Sequence, residues 1–338
     1  MKKYIAILTS LLLPFLSSAH IAYVAPEGTF EKFGGTDWSY FLQVFHNPLY
    51  VSLMIGVAGI TIGLAFLLRR TPPVRKFFDI TEQILASYHE FIPWIIRLGL
   101  GIALIGAGTE HALISPIIPH GEAFGVLEIF LGFFFLVGFA LVPAVLTTLG
   151  LYIIALFHTS YLIGNLDIFA LAIGVLVFHS ARPGVDDILR ISLLRFIHIK
   201  RHWLAPIMRA GVGIAMTYLA IYEKLLNPHV SDVVVRAYGL NHVIPVSPAM
   251  WVLAVAIIEI LVGLCIFVGF FTRTTACVAI VVLSFSFFFF KESVASHVSL
   301  FSILAIVAIE GGGFLSIDSW LAKRKKTELP QPVFGQTD

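Results

Sequence analysis

Charge is what this sequence has least of. Only 12% of its 338 residues are Asp, Glu, Lys or Arg, against 58% that are hydrophobic. A soluble globular domain carries about 25% charged residues. Half that fraction leaves too little polar surface to cover a fold in water, which speaks against a soluble enzyme. Cysteine is almost missing as well: Cys265 and Cys277 lie in apolar stretches, with no CxxC spacing. That usage speaks against a disulfide framework, a thiol redox motif and an iron–sulfur cluster. No nucleotide loop, dinucleotide fingerprint, catalytic triad or haem motif occurs. The formal net charge is only +2, and the basic residues gather in a few short loops. Membrane topology explains those loops, so nucleic acid is not expected as a partner.

Apolar runs fill the space that charge leaves, and the mean hydropathy is +0.94. Residues 1–19 read as a secretory signal: Lys2 and Lys3 lead, an apolar stretch follows, and Ser17 and Ala19 are small. Cleavage after Ala19 would make His20 the mature N-terminus. Residues 20–45 are polar and aromatic and are expected outside, in the periplasm. Residues 46–92 hold a leading span, about 47–68, and a cytoplasmic connector that opens on Pro72-Pro73. Eight further runs of spanning length follow, at about 93–113, 122–142, 145–162, 165–181, 206–225, 249–271, 274–290 and 297–315. The predicted fold class is therefore all-α, a polytopic integral membrane protein with about nine spans after signal cleavage. Basic clusters at Arg69 to Lys76, Arg190 to Arg201 and Lys323 to Lys326 all fall on one side of this assignment. The positive-inside rule makes that side cytoplasmic. The expectation is a bacterial inner membrane, with the mature N-terminus periplasmic and the C-terminus cytoplasmic.

The spans group into two similar sets. Arg97-Leu-Gly-Leu-Gly-Ile-Ala, ending at Pro116, matches Arg209-Ala-Gly-Val-Gly-Ile-Ala, ending at Pro228. Glu128-Ile-Phe-Leu-Gly and Gly138 match Glu259-Ile-Leu-Val-Gly and Gly269, and Asp186 aligns with the Asp318 that closes GGGFLSID. This predicts a first four-helix unit over 93–188, a basic linker over 189–205, a second unit over 206–320 and a basic tail over 321–338. Both units enter from the cytoplasm, so they are expected to be parallel repeats. Gly99, Gly101, Gly211 and Gly213 suit close helix contacts, because small residues let backbones approach in lipid.

These residues also carry a family resemblance. The Arg-x-Gly-x-Gly start, Lys224-Leu225, the Glu-x-x-x-Gly opening and the Gly-rich turn ending in Asp318 resemble the DoxX family, as two tandem copies over most of 93–320. The first copy departs from the pattern, with Glu110-His111-Ala112 where the second has Tyr222-Glu223-Lys224, and His179-Ser180-Ala181 at the Gly-rich turn. The resemblance implies the four-helix membrane fold. Through one branch, a membrane subunit of thiosulfate:quinone oxidoreductase, it also implies a quinone-linked role.

Ionisable residues inside spans are costly and usually face a partner. Glu128, Glu259 and Lys224 are the ligand or proton-linked candidates, and the equivalence of the two glutamates predicts one physical reason for both. Arg97 and Arg209 are expected to snorkel to lipid phosphates. On the outer face, His20, His111, His120, Glu110 and Glu223 are candidate metal ligands. An N-terminal His would offer amine and imidazole nitrogens to copper or another transition metal. No HxH or HExxH spacing fixes a geometry there, so scattered interfacial residues remain the competing reading. The run Phe287 to Phe290 suits lipid contact or a quinone. Three roles stay open: an accessory or membrane-anchor subunit of a redox or metal-handling system with a periplasmic or membrane protein partner; a small-solute or proton-coupled transporter with its site between the repeats; and a quinone-linked oxidoreductase subunit. No catalytic residue is assigned.

Overall fold

The computed structural model describes residues 21–328 apart from 27, 116, 117, 119–121, 179–183, 191, 192, 198 and 241–244. The expected signal and His20 lie outside the described residues, as do His120, His179-Ser180-Ala181 and the end of the basic tail.

Among the described residues the secondary structure is helical. After two short turns, Ile21–Val24 and Thr29–Phe33, come α1 (Trp38–His46), α2 (Pro48–Arg70) and α3 (Pro72–Ala86). Proline opens α2 and α3, where its missing N–H and fixed φ suit a first helical turn. Next are α4 (Ile92–Thr109), α5 (Glu122–Val137) and α6 (Leu141–His158), then a 3-10 turn, Ser160–Asn165, that runs into α7 (Leu166–Leu176). The chain returns as α8 (Leu204–Leu219), which passes into a π-helix, Ala220–Leu226. Helices α9 (Pro228–Ala237), α10 (Pro248–Val268), α11 (Thr272–Phe290), α12 (Val294–Glu310) and α13 (Ile317–Glu328) complete it.

Helix α4 packs against α5 and α12, while α8 packs against α10 and α7. The centre is thus a bundle of α4, α7, α8 and α12, around Leu100, Leu104, Leu171, Met208, Val212 and Ile303. Outward-facing side chains are apolar as well: Phe157 is 88% and Phe288 76% exposed. Helices apolar inside and out belong in a bilayer, not in water. Among the described residues, five helical segments are long and apolar enough to cross a membrane, and a sixth is reached if α1 and the first part of α2, bent by 75°, count as one span. The chain is an all-α polytopic membrane protein. The nine runs expected from hydropathy are not all full-length helices. Helix α5 has 16 residues, and Ser160–Leu176 and α12 are also short. At 1.5 Å per residue α5 is about 24 Å long, under the ~30 Å of a hydrocarbon core.

Close contacts follow the glycines. A Cβ on Gly101 would sit 2.9 Å from the Gly132 carbonyl oxygen, and one on Gly213 2.8 Å from that of Gly263. Helices α4 and α5, and α8 and α10, therefore touch nearly backbone to backbone.

One end of the bundle is locked by two sets of polar bonds. Asp186 accepts from the amides of Ala140 (2.8 Å) and Leu141 (3.1 Å), while its own amide donates to the Gly138 carbonyl at 3.0 Å. Asp318 accepts from the amides of Phe271 and Thr272, both at 2.9 Å, and its amide donates to the Gly269 carbonyl, also at 2.9 Å. Each aspartate caps the start of a helix distant in sequence, satisfying N–H groups that lack an intrahelical acceptor. Gly138 and Gly269 turn the chain there at φ +71° and +72°. Arg97 donates to the carbonyls of Phe135 (2.8 Å) and Leu136 (2.7 Å). Arg209 donates to those of Phe267 (3.1 Å), Phe314 (3.3 Å) and Leu315 (2.9 Å). The expected snorkelling of these arginines is corrected: both are buried. Unsatisfied carbonyls of helix ends and turns hold them more closely than lipid phosphates would.

Candidate functional site

The opposite end of the bundle holds the charges. A π-helix closes α8 there. Consecutive residues on an α-helix point about 100° apart, yet Glu223 and Lys224 are both buried, at 2% and 3% exposure. Wider π turns are frequent at functional sites. The turn is held from outside by the N-terminal segment. The Asp37 amide donates to the Leu226 carbonyl (2.7 Å), and the Gly35 amide to Asn227 Oδ1 (3.0 Å).

Lys224 Nζ lies 2.7 Å from Glu259 Oε2 on α10 and 3.6 Å from Glu223 Oε2. Glu223 accepts from the Tyr161 hydroxyl at 2.6 Å and from the Ile21 amide at 3.3 Å. Tyr161 belongs to the 3-10 turn before α7, so the cluster joins the two groups of helices. The Ser231 hydroxyl donates to the Glu223 carbonyl (2.8 Å), tying in α9.

The cluster borders a small cleft, lined among others by Asn165, Asp167, Glu223, Lys224, Glu259 and Ser299. A second small cleft reaches Glu110 and Ile114 and shares Asn165, Ser296 and Ser299 with the first. Asp167 takes a hydrogen bond from the Ser299 side chain. Beside it, His297 Nε2 is 2.9 Å from Glu292 Oε2, and its Nδ1 is 2.8 Å from Ser296 Oγ. The arrangement offers a cation, Lys224, to an anionic group, and carboxylates and hydroxyls to hydrogen-bond donors.

Residues 204–292, from the start of α8 to just beyond α11, match the family model DoxX. The chain carries a DoxX domain. No curated protein and no solved structure matches it. The DoxX domain supplies Glu223, Lys224 and Glu259. Tyr161, Asn165 and Asp167 come from helices before it, and Ser296 and Ser299 from the helix after it.

Not every expected site residue converges on the DoxX domain's cluster. Glu259 and Lys224 meet. Glu128 does not line either cleft; fully buried on α5, it accepts from the Ile114 amide at 3.0 Å. The position matching Lys224 in the first set is Ala112, and the Ile114 amide is one of the groups that hold Glu128. Glu223, expected on the outer face as a metal ligand, is buried in the cluster. Glu110 and His111 are exposed. Among the described residues no three His, Cys, Asp or Glu come together as metal ligands. Sequence reasoning missed Tyr161, Asn165 and Asp167. Asn165 and Asp167 were visible as two polar residues opening an apolar run.

Proposed function

We propose that this DoxX-domain protein sits in a bacterial inner membrane and binds a small polar solute in the cleft between two parallel four-helix units, as a transporter or a membrane receptor for it. The observation that carries this reading is the buried Lys224, held between Glu223 and Glu259 and facing the cleft. A buried charge in a membrane bundle is expensive and commonly marks a ligand or ion path. Lys224 would anchor an anionic group of the solute, with Glu259 beside it accepting from the solute's donors. The paired Asp186 and Asp318 caps and the paired Arg97 and Arg209 bonds support the repeat. In repeat-built transporters, interrupted helices at the repeat interface line the site, and the π turn and the 3-10 turn before α7 are such interruptions. In this reading the N-terminal segment and α9 face the periplasm, and the basic end faces the cytoplasm. The accessory-subunit and quinone-linked readings draw no specific support from the described residues.

The test is chemical access. In a Cys265→Ser, Cys277→Ser background, Ser299→Cys is treated with anionic and cationic methanethiosulfonates in spheroplasts. Both should label, and Lys224→Met should lower the anionic rate relative to the cationic one by about tenfold, the effect of roughly 1.4 kcal/mol at one charge. Absence of labelling from either face would overturn the reading.

A further inference from the structure

The cleft carries more negative than positive charge. Three carboxylates, Asp167, Glu223 and Glu259, line it with a single ammonium, Lys224. Lys224 lies against the two glutamates, so its charge is engaged away from Asp167. The neighbouring Glu292 and His297 lie against each other, at 2.9 Å. Arginines do not line this cleft.

Around Asp167 stand the side chains of Ser299, Ser296 and Asn165, with the His297 ring next to Ser296. Ser299 donates its hydroxyl to Asp167 and keeps lone pairs for another partner. Ser296 Oγ lines the same space and donates to the Ser293 carbonyl at 2.7 Å. Asn165 is 6% exposed and lines both clefts, and among the described residues its Oδ1 accepts no hydrogen bond. A buried amide oxygen without a donor costs about 1–3 kcal/mol, so it is an oxygen available to a bound group. With the two serine hydrogens already engaged, the oxygens left over, one of them a carboxylate, suit a cation.

We propose that an alkali metal cation binds where the two clefts meet, held by Asp167, Asn165 Oδ1, Ser299 and Ser296. A single free carboxylate with neutral oxygens suits a monovalent ion. Calcium takes six to eight oxygens, with several carboxylates, and magnesium demands a near-ideal octahedron. The position is also the natural one in a duplicated bundle. Asp167 and Ser299 are separated by the same 132 residues as Asp186 and Asp318. On the repeat proposed above they are counterparts on α7 and α12, meeting at the axis that relates the units. The ion binds on that axis, beside the solute cleft, and neutralises the charge that Lys224 leaves uncovered.

The full chain in detergent micelles tests this by thermal unfolding in sodium, potassium or choline chloride at equal ionic strength. One or both alkali ions should raise Tm over choline, by roughly 3 °C for each tenfold rise above half-saturation. Comparing the sodium and potassium arms identifies the preferred ion. Asp167→Asn should abolish the shift, and Asn165→Ala, the milder change, should move half-saturation about tenfold higher. Lys224→Met should retain it. Equal Tm in all three salts across pH would overturn the cation site, since Asp167 would then hold a proton. A shift that survives Asp167→Asn would overturn it too. Neither failure touches the solute reading, which stands or falls on labelling of Ser299→Cys.

Discussion

Replacing Lys224 with Met is the sharpest probe of the buried cluster. The ammonium is 2.7 Å from Glu259 and 3.6 Å from Glu223, with all three side chains at most 8% exposed. At an effective dielectric constant of 20, those separations correspond to gross attractions of about 6 and 5 kcal/mol. Desolvation offsets most of that, so the useful quantity is the loss on removing one partner, about 3–5 kcal/mol for a buried pair. The two glutamates should not share this loss equally. Glu223 keeps the Tyr161 hydroxyl and the Ile21 amide, whereas Glu259 loses its nearest cation. Adding Glu259→Gln to Lys224→Met should therefore recover more stability than adding Glu223→Gln, by about 1–2 kcal/mol. Reversible unfolding in mixed detergent micelles, run as two double-mutant cycles, reads both numbers. A loss below about 1 kcal/mol for Lys224→Met, the size of an exposed ion pair, would refute the reasoning. So would equal recovery by the two glutamines.

Three further outcomes follow from the same contacts. Arg209→Leu leaves three carbonyls without their donor and should cost about 3 kcal/mol, and Arg209→Lys should not restore it, because a point ammonium cannot reproduce the fork; unfolding of both variants checks this. Gly269→Ala combines a left-handed φ with a Cβ that collides with Arg209, and should destabilise by more than about 1 kcal/mol, while Gly150→Ala, with nothing within 4 Å, should be neutral or stabilising in the same assay. Asp37 has its carboxyl pulled down to about 2, chiefly by the Ser39 hydroxyl and then the Tyr40 amide. Its ordered cap on α1 is therefore fully formed above the ordinary value of 3.8 and is lost as pH falls toward 2, which amide exchange at Tyr40 should report.

The parts of the fold that could be read in advance were those set by short local patterns. Apolar runs located most helices to within a few residues, and the Arg-x-Gly and Gly-to-Asp motifs marked the residues that form the locks at Arg97, Arg209, Asp186 and Asp318. Hydropathy could not tell that the arginines would turn inward, since the carbonyls they satisfy belong to other helices. It also could not pair Lys224 with Glu259, which lie 35 positions apart and meet only because α8 and α10 pack closely at Gly213 and Gly263. Glu223 was expected on the outer face because it falls at the same level as Glu110 and the outer histidines, but it is buried beside Lys224. Asn165 and Asp167 stood in view at the opening of an apolar run, but the 3-10 turn that carries the run to the cluster left no mark in it. Residue identity predicted which side chains were costly. The irregular turns decided where they met.

Those seven π-helical residues have an evolutionary side. A π turn is what remains when one residue is inserted into an α-helix that packing will not let slide. The helix before it keeps its contacts and the helix after it keeps its cap, so the surplus is absorbed between them. Glu223 and Lys224 lie within that surplus. Trimming a single residue from Ala220–Leu226 would leave every charged side chain in the sequence and still take the cluster apart. In this protein, function can be lost through a change in length alone.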